Sequence, residues 1–372
     1  MSKYLVTLTP TGKFFFGGDM RFSINGNKEE FSSYIIESSK MPQQTSLLGM
    51  MRFLLLSNSK YFNTETNSIK DSAKEEVASL IGENSFTITD GTTYGQFGKI
   101  ASVGPCFILE KESSTRYFRA PADYNFTTVE WKQENITEVC INGKKVRLPK
   151  LKLKIKNEND KEEEVLFTGK NYLTPYFTAP FSNNSKAIEE KDLFIADKRI
   201  GIDKDYEGKS KTNALYKQVS YRMETGYCFA FEAEVDDNLA RFNKQLVSLG
   251  ADSSTFIFEA KEIEATETNN QQGTTVVLLS DAYIPAIPDD AAYSFSINKM
   301  RTFRFLKTSN STDASYYRIN GENTATTSER YELYEAGSVF YFDNTEKRDA
   351  FCKILEERKD FNQRGYNKYY IK

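Results

Sequence analysis

The chain has 372 residues, 39% of them apolar and 14% aromatic, a composition that excludes wholesale disorder. Its 49 basic residues are balanced by 52 acidic ones, so net charge argues mildly against a nucleic-acid partner, and any such surface depends on local clustering. This length predicts about two domains.

Histidine is absent from the sequence. Its absence excludes the commonest general base, the commonest zinc ligand and every serine–histidine or cysteine–histidine catalytic pair. The four cysteines are far apart and form no CxxC pair, which indicates buried free thiols in a reducing compartment. No apolar run approaches the ~20 residues that span a bilayer, and the first residues lack a signal-like apolar region. We therefore expect a cytoplasmic protein that needs no metal, cofactor or membrane.

The first elements are a strand and a glycine-bearing loop. Residues 4–9 alternate in polarity, which predicts a strand that ends at Pro10. The following loop, residues 11–21, contains Gly17 and Gly18. These glycines indicate either a tight turn or a loop that the backbone of a ligand approaches closely.

Residues 41–56 predict a buried helix. Pro42 suits a helix start, and the hydroxyl of Thr45 or Ser46 is expected to cap the first backbone amides. The apolar residues that follow recur at helical spacing along one face. Such a helix either only packs in the core or also offers, through the free amides at its start, a site for an anion.

Further along, residues 72–81 predict a second helix, with Ser72 and Glu75 at capping-box spacing and Gly82 as its C-terminal stop. Strands are predicted at residues 86–89 and 101–109.

Residues 150–156 alternate lysine with apolar residues, which predicts a strand with four lysines on one face that returns through Glu162. Those lysines either face water and the glutamates of the return strand or contact a phosphate backbone.

The domain change is placed in residues 172–190, where Pro175 and Pro180 suit a linker, giving domains 1–188 and 189–372.

Beyond it, Glu224-Thr-Gly226 predicts a hairpin turn between strands at residues 214–222 and 227–235. A helix is predicted at residues 239–249, ended by Gly250. The remaining predictions are strands at 256–263, 275–279, 300–305 and 338–342, a helix at 347–357 and a short terminal strand. The order strand–helix–strand–strand near residues 227–280, and the strand–helix opening of the first half, favour an α+β fold that uses a ferredoxin-like unit twice.

Motifs of known catalytic sites are missing, including the Walker loop, HExxH and GxSxG. The paired acids Asp236-Asp237 and Asp289-Asp290 carry no second signal. A histidine-free ribonuclease that uses tyrosine and lysine remains an alternative, although no residue is singled out for it. Glycine-containing basic loops beside aromatic strands are typical of proteins that hold single-stranded RNA, and a protein-assembly role is an equal alternative.

Three groups of segments carry a resemblance to a known family. The segments are Phe15-Phe-Gly-Gly-Asp19 ahead of Pro42-Gln-Gln-Thr-Ser-Leu-Leu-Gly-Met-Met-Arg52, Arg199-Ile-Gly-Ile-Asp203 ahead of Asn213-Ala-Leu-Tyr216, and Ala336-Gly-Ser-Val-Phe-Tyr-Phe342 with Gly365-Tyr-Asn367. In their order and spacing they resemble the third-subunit family of the Cmr complex, RAMP-superfamily proteins of the type III-B CRISPR effector. The related fourth subunit of the type III-A Csm complex is the alternative family.

The resemblance implies two ferredoxin-like (RRM-type, RAMP) domains with loop and β-hairpin insertions, and no catalytic activity. It implies a subunit for antiviral defence that grips the 5′ repeat-derived handle of CRISPR RNA (crRNA). Its expected protein partners are the large polymerase-type Cas subunit, at the base of the complex, and the backbone-forming RAMP subunit. A metal-independent RAMP endoribonuclease that processes repeat RNA is the alternative activity.

Carried over residue by residue, the family motifs also name the RNA-facing positions. They are Gly17, Gly18, Pro42, Gln43, Gln44, Thr45, Ser46, Arg52, Arg199, Gly201, Asp203 and Lys211. The chain departs from the family at Leu249-Gly-Ala-Asp252, where relatives often have a more glycine-rich turn, and this places an RNA contact there in doubt.

Overall fold

The computed structural model shows a strand-rich α+β protein. The residues that it describes are 1–18, 20–24, 31–66, 68–69, 71–82, 95–124, 128–130, 137–141, 144–156, 162–166, 176–182, 187–204, 206–264, 272–285, 293–295, 298–304 and 327–372. The α-helices are α1 (Gln44–Ser57), α2 (Lys74–Ile81), α3 (Glu190–Leu193), α4 (Thr345–Glu357) and α5 (Lys359–Gln363).

Strands make up most of the regular structure. In the first half they are β1 (Ser2–Pro10), β2 (Met20–Ile24), β3 (Phe31–Glu37), β4 (Phe62–Asn63), β5 (Ser68–Ile69), β6 (Ile100–Val103), β7 (Phe107–Glu110), β8 (Arg116–Arg119), β9 (Thr128–Glu130), β10 (Thr137–Ile141), β11 (Lys144–Leu148), β12 (Lys150–Lys156), β13 (Glu162–Leu166), β14 (Tyr176–Thr178) and β15 (Ile188–Glu189). In the second half they are β16 (Phe194–Lys204), β17 (Ser210–Met223), β18 (Tyr227–Val235), β19 (Gln245–Ser248), β20 (Thr255–Glu262), β21 (Thr275–Leu278), β22 (Ala282–Tyr283), β23 (Tyr293–Phe295), β24 (Asn298–Arg304), β25 (Thr327–Tyr334), β26 (Val339–Tyr341) and β27 (Tyr369–Ile371).

The largest sheet runs in the order β15-β14-β8-β7-β18-β1-β20-β19, with β6 also paired to β18. At its centre the predicted first strand is confirmed as β1, whose alternate residues Tyr4, Val6 and Leu8 are buried. The buried face of α1 packs in the same core cluster. This sheet takes strands from both sides of residue 188, and the division of the chain there stays a prediction.

A second sheet, β16-β17-β3-β2, stands beside the first and carries a long hairpin. Its strands β16 and β17 have 11 and 14 residues and pair antiparallel, while β17 runs parallel to β3. Near the base of the hairpin, Val219 and Tyr221 are buried in the main core. The outer part of the hairpin therefore extends beyond that core.

The C-terminal residues form a smaller sheet, β23-β26-β21-β27, covered by α4. The predicted helix at residues 347–357 and the predicted strands at 275–279 and 338–342 are confirmed there, each within a few residues. The predicted lysine strand is confirmed as β12, which pairs with β13 so that Lys154 lies opposite Glu164. The strand predicted at residues 86–89 and the acids Asp289-Asp290 lie outside the described residues.

The helix predicted at residues 239–249 is wrong. Residues Leu239–Phe242 form a single 3-10 turn, and β19 follows. The Asn243 side chain bonds both backbone groups of Ala260, and Lys244 has φ 68°, so the chain turns away from a helix. The helix that supported a ferredoxin-like unit in residues 227–280 is therefore absent.

The turn predicted at Glu224–Gly226 is confirmed, with Tyr227 N bonded to Glu224 O at 3.3 Å, but the predicted hairpin is wrong, because the strands on either side join different sheets. Glu224 N bonds Leu193 O at the end of the β17 sheet, and β18 continues between β1 and β7 in the largest sheet. A short signature such as Glu224-Thr-Gly226 specifies a turn but does not determine which strands pair.

Two predicted helix caps are wrong as well. Helix α1 begins after Gln43, whose carbonyl accepts from Ser46 N and Leu47 N, so Thr45 and Ser46 lie inside the first turn and do not cap. Helix α2 begins after Ala73 and has no side-chain cap. Gly82, by contrast, ends α2 with φ 85°, as predicted.

Candidate nucleic-acid interface

The loop between β1 and β2 is anchored by its aromatic residues. Phe14 exchanges backbone hydrogen bonds with Tyr221 at 2.8 and 3.1 Å, and its ring is buried in the core. The Phe15 carbonyl accepts from Ala251 N at 2.7 Å, in the turn where the chain departs from the family. The Phe16 ring stacks on Phe256 at 5.8 Å between centroids. These contacts fix the loop and bring its two glycines to the surface.

Glycine is required at positions 17 and 18 for two different physical reasons. Gly17 has φ 75°, a conformation in which a side chain is strained. Gly18 lies against the end of β3, where a Cβ atom on it would come within 1.6 Å of the Glu37 carbonyl oxygen. The Gly17 carbonyl accepts from Ser39 N at 2.6 Å. The glycine loop therefore lies beside the segment that leads into α1, and the close approach of a ligand to it stays a prediction.

The residues at the start of α1 differ in their exposure to solvent. Gln43 and Ser46 are exposed, Thr45 is half-buried and Pro42 is buried. The amide of Ser46 bonds the Gln43 carbonyl, whereas the backbone amides of Gln44 and Thr45 come too early in the helix to pair with a helical carbonyl. The side chain of Gln44 is buried. Its amide nitrogen donates to Gly104 O at 3.2 Å, and its amide oxygen accepts from Cys106 N at 2.8 Å. Gln44 thus fastens the helix to the largest sheet.

A group of charges holds the segment just before α1. Glu190 accepts from Lys40 and, at 2.5 Å, from Arg119. Burial alone would raise the pKa of the Glu190 carboxyl, but Arg119 and Lys40 together hold that pKa below its ordinary value. Lys40 also lies 5.2 Å from the centre of the Tyr221 ring. These contacts keep the helix start next to the glycine loop.

The side chain of Arg52 points away from the start of α1, toward the end of α2. Its Nε donates to Ile81 O at 2.6 Å and its Nη2 to Gly82 O at 3.4 Å, so it binds the end of α2. Burial, and the nearby charge of Arg364, lower the pKa of Arg52 to about 10. The structure gives Arg52 a role within the fold, and its contact with RNA stays a prediction.

The β16–β17 hairpin holds the second group of predicted residues. Arg199 is exposed, with its Nε 3.9 Å from the Asp197 carboxylate. Gly201 pairs with Tyr216. Asp203 falls at an irregularity of the ladder, and Lys211 belongs to β17.

The sheet β16-β17-β3-β2 links the two groups, because β2 begins just after the glycine loop. Across it, Arg199 pairs with Gln218, Gln218 with Ile36, and Ile36 with Met20, which follows the glycine loop. Three strand spacings of about 4.8 Å place Arg199 about 14 Å from that loop. The structure thus brings the loop, the start of α1 and the hairpin to one region, with Arg52 turned away toward α2.

Sequence reasoning missed the other face of the hairpin. Ile200 is 74% exposed and Ile202 is 51% exposed, and both lie opposite the face of Arg199. Apolar residues in alternation would have been the signal, but this alternation is also typical of a buried strand.

The residues of the third family motif make contacts within the fold. Gly337 has φ 90°, and its carbonyl accepts a hydrogen bond from Ala122 N while its backbone packs on Ala120. Gly365, with φ 87°, packs on Gly104, and the buried side chain of Asn367 bonds the backbone of Tyr283. The contacts of Gly337 and Gly365 join the C-terminal residues to segments that follow β8 and β6 of the largest sheet, and Asn367 binds β22.

Within the described part of the chain, no group of three or more histidine, cysteine, aspartate or glutamate residues is arranged to hold a metal ion. The thiols of Cys106, Cys228 and Cys352 are buried, and burial raises the pKa of each, to about 11 for Cys228 and Cys352. Among the described helices, none has the length and apolar character needed to cross a membrane.

The sequence profile described as "CRISPR-associated protein (Cas_Cmr3)" matches residues 6–372. The chain belongs to the Cmr3 family. No curated protein matches it. Among solved structures, this Cmr3 family member is similar to a chain of "Cryo-EM structure of the Type III-B Cmr-beta bound to cognate target RNA", with 13% identity over 99% of this chain and 96% of that one and a TM-score of 0.46. A chain of the same assembly "bound to cognate target RNA and AMPPnP, state 1" matches with 10% identity, 99% and 94% coverage and a TM-score of 0.43.

Proposed function

We propose that the chain is a non-catalytic subunit of a cytoplasmic type III-B Cmr effector complex that binds the 5′ repeat-derived handle of crRNA. In this role it contacts the large polymerase-type Cas subunit and the backbone RAMP subunit, in antiviral defence. Its two halves are, in the same proposal, RAMP-type ferredoxin-like domains. Membership of the Cmr3 family supports this function.

The observation that supports the RNA part is the hydrogen bond from Ser39 N to the Gly17 carbonyl, which joins the loop that contains the exposed Gly18 to the segment that leads into α1. Backbone amides of glycine loops and of helix starts are both groups that bind a nucleic-acid backbone. Arg199 adds a cation on the sheet that joins them. The non-catalytic part is supported by the absence of histidine from the sequence and by the raised pKa of the buried Cys228 and Cys352 thiols, because a thiol with a raised pKa is a poor nucleophile.

We expect the Q43A/T45A/S46A variant to bind handle RNA about tenfold more weakly, because two or three polar contacts worth about 0.5–1.5 kcal/mol each are lost. Gel shift of the full-length chain with a synthetic repeat-derived RNA measures this loss. Since these residues carry no charge, the dependence of affinity on salt should not change.

The matched control is Q44A, one position away. Gln44 is buried and bonded to Gly104 and Cys106, so its loss should lower the free energy of unfolding by about 1–3 kcal/mol. The RNA affinity of the folded protein should stay the same. Equal RNA affinity of the triple variant and the wild type would contradict a role of the helix start in binding.

Contact with other subunits is proposed for the exposed apolar face of the hairpin. Exposed isoleucines on a strand that extends beyond the core are typical of a protein-binding surface. We expect I200D/I202D to reduce co-purification with the other Cmr subunits about tenfold or more, since charges would be buried at the interface. L246D is the control, because Leu246 is 62% exposed but lies at the edge of the largest sheet. Normal assembly of I200D/I202D would contradict this surface.

A further inference from the structure

Strand β16 forms one edge of the sheet β16-β17-β3-β2. It pairs with β17 on one side, and no strand in the described part of the chain pairs with its other side. Tyr221 of β17 exchanges its backbone hydrogen bonds with Phe14, so its peptide groups point away from β16. The residue opposite Tyr221 is Ala196, which therefore directs its N–H and C=O groups to the open side. The ladder keeps its register from Phe194 to Ile202, so every second residue repeats this direction. The outward residues are Ala196, Lys198, Ile200 and Ile202.

This open edge is accessible over the length of a strand. All four outward residues are exposed, with Ile200 at 74% and Ile202 at 51%. Open edges are commonly closed by a proline or a β-bulge, but residues 194–202 contain no proline, and the ladder becomes irregular only after Ile202. At ~3.3 Å per residue, the stretch from Ala196 to Ile202 is about 20 Å long, as in an average strand. The edge therefore has room for one added strand.

The side chains at this edge indicate what kind of strand would fit. The outward residues share one face of the hairpin with their partners on β17, and Lys217 lies opposite Ile200. In residues 196–202 and their partners, this face contains Lys198 and Lys217 and no acidic residue. An added strand would pack on the isoleucines and lie beside Lys198, so apolar and acidic side chains would complement it. A second copy of the same face would bring lysine next to lysine, which disfavours self-pairing.

We infer that the open edge of β16 pairs with an extended segment of another Cmr subunit over residues 196–202, and that this segment carries apolar side chains and an acidic one on the face of Ile200 and Ile202. Backbone hydrogen bonds would provide affinity, and packing on the isoleucines would provide specificity. This inference rests on the proposed contact of the hairpin with other subunits, and it adds the mode of binding and the chemistry of the partner.

Hydrogen exchange of the full chain, read at single residues before and after assembly with the other Cmr subunits, tests the pairing directly. In the isolated chain, amides directed to β17 should exchange slowly and amides directed to the open edge should exchange fast. The first set is Asp197, Arg199 and Gly201, and the second set is Lys198, Ile200 and Ile202. Assembly should slow exchange of the second set about tenfold or more, since each of its amides gains a hydrogen bond. Unchanged exchange of the second set would overturn the inference. Equal protection by crRNA alone, or by the concentrated chain alone, would overturn the choice of another subunit as the partner.

Three substitutions of Lys198 separate the backbone from the side chain. K198P removes an N–H group that β17 does not use, so the hairpin should stay folded while the open edge is blocked. We expect K198P to reduce co-purification with the other Cmr subunits about tenfold and K198A to stay within about twofold of the wild type. K198E should reduce co-purification about fivefold, because it places an acid beside the acidic residue of the partner. K111E is the charge control, since Lys111 is exposed in the turn after β7 and should be replaceable without effect.

The outcomes separate this inference from the proposed subunit contact. Equal assembly of K198P and K198A would overturn strand pairing, and the proposed contact would still stand if I200D/I202D failed to assemble. Normal assembly of I200D/I202D would overturn both. Assembly of K198E at the level of K198A would overturn the acidic character of the partner segment. Thermal unfolding shows whether K198P is folded, and the exchange measurement decides the inference without any variant.

Discussion

Replacement of Gly18 with alanine is expected to disrupt the candidate interface. The new methyl group would lie 1.6 Å from the Glu37 carbonyl, a distance that atoms do not adopt, so the loop has to leave the end of β3. We expect a loss of about 2 kcal/mol or more in the free energy of unfolding, as for other insertions into a closely packed site. Handle affinity should fall about tenfold or more, since the loop amides and carbonyls lose their positions.

Two neighbouring glycines provide a graded control. Gly17 has open space around it but φ 75°, so G17A should cost about 1–2 kcal/mol from backbone strain alone. Gly12 lies at the base of the same loop, has open space and lacks a positive φ, so G12A should leave both stability and affinity unchanged. Chemical unfolding and gel shift of the three variants measure the loss of stability and of handle affinity, which should be largest for G18A and absent for G12A. Equal behaviour of G18A and G12A would contradict the close approach of Gly18 to β3.

Replacement of Arg364 with methionine is expected to give the second large effect. Arg364 is 1% exposed, pairs with Asp360 at 3.2 Å, and lies over the Phe97 ring at 5.1 Å. Asp360 is itself 2% exposed. R364M leaves this carboxylate buried without its cation, which costs about 3–5 kcal/mol. Through Phe97, Arg364 also joins the C-terminal residues to the segment before β6. Thermal unfolding of R364M should therefore begin at a clearly lower temperature than that of the wild type.

The control is R241M, which also removes an arginine from an ion pair four residues apart. Arg241 is exposed and bonds Asp237 at 3.0 Å, so its loss should cost less than about 1 kcal/mol. The double variant R364M/D360N removes both buried charges while it keeps an acceptor for Phe361 N, and we expect it to recover most of the lost stability. A double variant as unstable as R364M would show that the buried charge is not the cause.

Local patterns were sufficient to predict much of the fold. Strand β1, helix α1, strand β12 and helix α4 were found because each carries an unbroken period of two or of 3.6 residues. The helix predicted at residues 239–249 has the same apolar spacing and is wrong, since the decisive contact of Asn243 is to Ala260, on another strand. The predicted cap at Thr45 is wrong for a simpler reason, because the N-cap is Gln43, two residues earlier.

For the candidate site, the residue types could be predicted, but their neighbours in space required the structure. The role of Gln44 depends on Gly104 and Cys106, and that of Arg52 on the end of α2, in both cases distant in sequence. Tyr216 was visible within a family motif, but its relation to Gly201 needs the register of β16 on β17. Pairings between distant segments are fixed by packing of the whole chain, which local patterns do not contain.

Nuclease protection of crRNA tests the central claim most directly. A Cmr complex is assembled with the wild-type chain or without it, in EDTA, and the 5′ end-labelled crRNA is probed and resolved on one gel. We predict that the handle nucleotides are protected only when the chain is present, and that the crRNA stays intact before nuclease is added. Protection confined to the spacer region, or specific cleavage of the RNA by the chain itself, would contradict the account.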